Sequence, residues 1–172
     1  STSVTLNNAD KVACDVIADG ISVDGYLTSF SCNGSSNSIV EFRASVEGGA
    51  TGSATATDPG DPVFLEECTV TGGGDTIDFS LDCSWELEHT FDETGAPSAT
   101  SFKSFDGTFT YTTSATASDE ITTSGTENFS IVAGGLNIAG TGKITKCEQT
   151  AEVDDVVRYK RTMTIITLGA GS

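Results

Sequence analysis

Residues 76–91 read TIDFSLDCSWELEHTF. The odd positions are Ile77, Phe79, Leu81, Cys83, Trp85, Leu87, His89 and Phe91. The even positions are Thr76, Asp78, Ser80, Asp82, Ser84, Glu86, Glu88 and Thr90. Apolar and polar residues alternating with a period of two are the mark of a β-strand with one buried face. Ordinary strands run to about 5–6 residues, whereas this pattern would extend roughly 53 Å if unbroken. Strands of that length, each with one apolar face, suit a strongly bent sheet. The expected fold is therefore all-β, an antiparallel long-stranded barrel or half-barrel, with a two-sheet β-sandwich as the alternative.

The pattern recurs outward from this stretch. Residues 101–117 carry Phe105, Gly107, Phe109 and Tyr111 in one phase and Ser104, Asp106, Thr108 and Thr110 in the other. Residues 121–133 alternate again, ending in Ala133-Gly134-Gly135, a hairpin signal, after which Leu136, Ile138 and Ile144 continue the return strand. The first half is more broken, with Asp19-Gly20 and Asp24-Gly25 as turn signals and residues 48–62 as a loop or weak edge. No segment carries an amphipathic helix pattern and no fixed-period repeat is present. A single all-β domain over residues 1–172 is expected. An outer-membrane barrel would also alternate, but it calls for aromatic girdles at two levels, and here the aromatics are spread along the strands.

Charge narrows the partners. The 172 residues hold 25 Asp and Glu against 8 Lys and Arg, a formal net charge of -17. Such a polyanion repels nucleic acid phosphates and anionic lipid headgroups, so no nucleic acid partner is expected. Five of the eight bases (Lys143, Lys146, Arg158, Lys160 and Arg161) fall late in the chain, where pairing with the acidic first half is the expectation. The absence of any run of 18 apolar residues excludes a transmembrane helix. The polar start STSVTLNNAD suits a secreted, periplasmic or cell-surface domain, and a lipid anchor on a cysteine upstream of residue 1 is compatible with it.

Five cysteines, Cys14, Cys32, Cys68, Cys83 and Cys147, occur without a CxxC motif, and His89 is the only histidine, which argues against structural zinc. Scattered cysteines in a Thr/Ser/Gly-rich chain point to an oxidising compartment. By strand phase the first four face inward, and the expected disulfides are Cys14–Cys32 and Cys68–Cys83. Cys147 reads as outward unless a bulge intervenes.

Chemistry-bearing constellations are few. His89 lies beside Glu86 and Glu88, but in a strand those glutamates point to the opposite face. No nucleophile elbow, HExxH, Walker A or dinucleotide motif is present, so no catalytic residue is assigned and a non-enzymatic function is expected. Calcium is the one plausible ion. Asp58, Asp61, Glu66 and Glu67 form one group of hard oxygen ligands, and Asp75 and Asp78 follow Gly72-Gly73-Gly74 as another.

Two function classes remain. One is a carrier whose interior aromatic face, Phe79, Trp85, Phe105, Phe109 and Phe129, holds a small apolar ligand. Gly107, Gly125, Ala115 and Ala117 in the same phase would leave it room. The other is a surface adhesion or structural module that binds a protein or glycan partner.

Overall fold

The structure is a computed structural model and describes residues 6–18, 21–53, 55, 61–70, 76–95, 97–114, 126–151 and 157–170. Among these, nine strands form one antiparallel sheet: β1 (Ala13–Ala18), β2 (Ile21–Ser35), β3 (Glu41–Ser53), β4 (Thr69–Val70), β5 (Thr76–Phe91), β6 (Pro97–Thr113), β7 (Glu127–Ala133), β8 (Leu136–Ala151) and β9 (Val157–Ala170). The order is β1-β2-β5-β6-β9-β8-β7-β4, with β3 on the other edge of β2. The fold is an all-β half-barrel, the first of the two architectures that the long alternations suit.

The opening stretch is β5 in full. Phe79, Leu81, Cys83 and Trp85 are buried, while Asp82, Ser84, Glu86 and Glu88 are exposed. The alternation weakens at the ends, where Ile77 and Leu87 are half-buried and Phe91 is exposed. Like-charged side chains on the outer face oppose edge-to-edge association.

Bulges decide where the phase reverses. Leu27 and Phe30 are both buried because Thr28 is an extra residue in β2, between the pairs Leu27↔Val46 and Ser29↔Ser45. Phe102 and Phe105 both pack on the core because Lys103 is extra in β6, between Leu87↔Phe102 and Glu86↔Ser104. Thr145 is extra in β8, and this carries Cys147 opposite the buried Arg161 and leaves it half-buried rather than outward.

Two irregular segments cover the concave side. The first is N-terminal. Leu6 is buried, Asn7 accepts a hydrogen bond from Trp85, and Asn8 bonds the backbone of Ile166 and Leu168. Val12 then accepts from the amide of Leu27. This segment therefore touches β5, β9 and β2 in seven residues. The second is the strap 63–70, which includes one 3-10 turn at Leu65–Glu67. Val63 accepts from the Val40 amide and lies over Gly134 in the β7–β8 turn. Thr69 and Val70 pair with β7. The strap thereby joins the β2 side of the sheet to its far edge.

None of the five cysteines is in a disulfide, which corrects the expected pairs. Cys14 lies opposite Gly25, whereas Cys32 is seven residues further along β2 and lies opposite Leu81. Seven strand residues span about 23 Å, far beyond disulfide reach. Cys83 lies opposite Phe30 on β5, whereas Cys68 ends the 3-10 turn of the strap. The inward phase was common to these residues, but phase says nothing of position along the strand.

Candidate functional site

β2 has β3 along one edge, but its other edge is shared. β1 pairs with Ile21–Tyr26 and β5 with Ser29–Ser35. Beyond Ser84, β5 leaves β2 and runs with β6 alone. At this fork lies a cleft of about 430 Å³. Cys14 of β1, Tyr26 of β2, Glu47 of β3, His89 and Phe91 of β5 and Thr100 of β6 line it, together with Asp24.

His89 is the fixed polar group of the cleft. Its cross-strand partner is Thr100, whose Oγ1 lies 2.9 Å from Nδ1. Nε2 is buried and lies 3.1 Å from Glu47 Oε2, off the line of a well-formed hydrogen bond. Lys11 reaches the same corner. Its Nζ donates to the Thr100 carbonyl at 2.6 Å and sits 4.9 Å from the centre of the Tyr26 ring. Phe91 is 62 % exposed at the end of the strand, an aromatic left in water beside these polar groups.

The expected interior residues come together as packing. Phe79, Trp85, Phe109 and Phe129 are buried in one cluster and Phe105 packs against it. Phe109 stacks on Phe129 with ring centres 5.0 Å apart and on Tyr111 at 5.1 Å. Trp85 meets Phe105 at 5.3 Å. The glycine expected to leave room is roofed over, because a Cβ on Gly107 would stand 2.6 Å from Phe105 and 2.9 Å from Ile165. Gly125, Ala115 and Ala117 lie outside the described residues. A second, shallow concavity of about 450 Å³ follows β7, β8 and β9, with Phe129 beside Gly140 as its apolar floor.

Of the expected calcium residues, those that are described do not form a site. Asp58 and Asp75 lie outside the described residues, Asp61 is exposed and Asp78 is half-buried in β5. Among the described residues no group of three or more His, Cys, Asp or Glu is placed to hold a metal ion. Glu66 and Glu67 are committed to backbone. Glu66 accepts from the Asn37 amide at 2.7 Å, which holds its carboxyl below the usual range, and Glu67 accepts from the Phe64 amide at 3.0 Å. Nor do the late bases all seek the acidic first half, since Lys146 pairs with Glu148 of its own strand at 2.8 Å.

Sequence reasoning singled out His89, read Phe91 as part of the inward apolar face although it is exposed, and missed Tyr26, Glu47 and Thr100. The usable signal was Phe91, an aromatic in the inward phase at the end of a strand whose other large rings lie mid-strand. No protein-family model matches the chain, and no curated protein matches it either. Among the described residues, no helix is long and apolar enough to cross a membrane.

Proposed function

We propose that the protein is a non-enzymatic, extracytoplasmic binding module that takes a neutral glycan in the cleft at the β1–β5 fork. The observation that carries this reading is the exposed Phe91 beside a polar set in which Thr100 holds His89 and Glu47 lies 3.1 Å from its other ring nitrogen. A saccharide offers an apolar ring face to an aromatic side chain and hydroxyls to carboxylates and imidazole. The cleft volume falls within the range of small-ligand sites. The net charge of -17 disfavours anionic glycans. The composition, rich in Thr, Ser and Gly, supports the extracytoplasmic placement.

Two features favour this over an interior carrier of an apolar ligand. The inward rings pack on one another, and the chain's own residues 6–12 lie across the concave face. Against catalysis stands the ordinary origin of the His89–Thr100 contact, a direct cross-strand pair such as any sheet makes.

The test is a titration with neutral oligosaccharides by calorimetry, on the native protein and on Phe91→Ala. Saturable binding that weakens by at least tenfold in Phe91→Ala, with an unchanged melting temperature, supports the reading. Binding that is indifferent to Phe91, or absent across a broad neutral glycan set, overturns it.

A further inference from the structure

The strap 63–70 is fastened to the end of β2 by backbone. Val40 donates to Val63 at 2.8 Å, Leu65 donates to Ser38 at 3.2 Å, and Asn37 donates to the Glu66 carboxylate at 2.7 Å. Leu65 is buried, and its Cδ1 comes within 3.5 Å of the place a Cβ on Gly34 would occupy. Cys68 follows Leu65 by three residues at the end of a 3-10 turn, so the two project on one side. Cys32 precedes Gly34 by two residues in β2, so those two share the inward face. Cys32 is fully buried, while Cys68 is half-buried against the same core.

We propose that Cys32 and Cys68 are a disulfide-forming pair whose closure locks the strap to the sheet. The rival inward pair is poorly placed. Cys32 lies opposite Leu81 and Cys83 opposite Phe30, so the two are diagonal neighbours, roughly 7–8 Å apart with their Cβ atoms somewhat closer. A bridge needs Cβ atoms about 4 Å apart, and sheet backbone does not yield that. The proximity of Cys32 and Cys68 is felt electrostatically. Burial pushes the Cys32 thiol up to about 12, and the neighbouring Cys68 adds to the rise.

The oxidant is a low-molecular-weight disulfide. Cys68, the more accessible thiol, loses its proton and attacks one sulfur of glutathione disulfide. The S–S bond breaks, one glutathione thiolate leaves, and a mixed disulfide forms. Cys32 then loses its proton, attacks Cys68 Sγ and expels the second glutathione. The two protein thiols give up two electrons, and one glutathione disulfide becomes two thiols. Burial and the charges of Glu67 and Glu66 raise the Cys68 thiol as well, so closure should speed up roughly tenfold per pH unit from neutrality.

The experiment treats the whole protein with excess glutathione disulfide at about pH 8.5, alkylates remaining thiols and maps peptides without reduction. A Cys32–Cys68 cross-link should form and raise the melting temperature by roughly 8–15 °C, reversibly with dithiothreitol. Cys68→Ser should lose both the cross-link and the rise, and Cys14→Ser and Cys147→Ser should keep both. A different linkage, a lasting glutathione adduct on Cys68 or five alkylated thiols after prolonged oxidation would each overturn the proposal.

Discussion

Trp85 Nε1 donates a hydrogen bond to the backbone carbonyl of Asn7 across 2.7 Å. One side chain from the middle of β5 thus anchors the segment that covers the concave face. The indole is 3 % exposed and its ring meets Phe105. Truncation removes core volume, an aromatic pair and the anchor together. Trp85→Ala should destabilise by about 3–5 kcal/mol in urea unfolding. Asp82→Ala, on the exposed phase of the same strand, should stay within about 0.5 kcal/mol. Equal effects would mean that the alternation does not separate inside from outside.

Glycine positions give a second contrast. A Cβ on Gly140 would collide with the Thr167 carbonyl oxygen and stand 2.8 Å from the Phe129 ring, whereas one on Gly169 meets nothing within 4 Å. Gly140→Ala should therefore cost about 1–3 kcal/mol, since the backbone oxygen cannot step aside. Gly169→Ala should be neutral or slightly stabilising. Chemical denaturation of the two variants side by side reads the difference.

Alkaline stability follows from the buried thiols. Cys32 and Cys83 are each pushed up to about 12 by burial, with Asp82 and Asp106 adding to Cys83. In the unfolded chain a thiol ionises near 9. Because the folded value is the higher one, the stabilisation is complete below about pH 9 and is lost as pH rises towards 12. Each thiol should cost at most about 1.4 kcal/mol per pH unit across that window. Stability measured from pH 8 to 11 should fall less steeply in Cys83→Ala than in the native protein. Parallel slopes would contradict the assignment.

Much of the fold was legible because burial in a sheet is written with a period of two. The run from Phe79 to Trp85 and the phase of Phe105, Phe109 and Phe129 needed no other information. The bulges at Thr28, Lys103 and Thr145 were not legible, since one extra residue leaves composition unchanged while reversing the phase. That is why Cys147 read as outward. Contacts made by irregular backbone were invisible for a related reason: Leu6, Asn7 and Asn8 carry no periodicity. The cleft joins Glu47 and His89 from distant strands, and only the fork on β2 brings them together. His89 could be singled out as the sole histidine, but its neighbours in sequence, Glu86 and Glu88, are on the wrong face.

The polar side of the cleft has its own test. Thr100 positions His89 through Nδ1, while Glu47 only approaches Nε2. Thr100→Val keeps the β-branched shape and removes the hydroxyl. It should weaken saccharide binding about threefold to tenfold, the loss of one positioning hydrogen bond, with little change in stability. Calorimetric titration of Thr100→Val beside the native protein measures this, and unchanged affinity would remove His89 orientation from the recognition scheme.

The most direct measurement is an amide chemical-shift titration of isotope-labelled protein with a neutral oligosaccharide and, separately, with a medium-chain fatty acid. Binding at the fork should shift Tyr26, Glu47, His89, Phe91 and Thr100 saturably with the saccharide and leave Phe79, Phe109 and Phe129 in place. Saturable shifts at Phe79, Phe109 and Phe129 with the fatty acid, and none at the fork with the saccharide, would contradict the lateral site and restore the interior carrier.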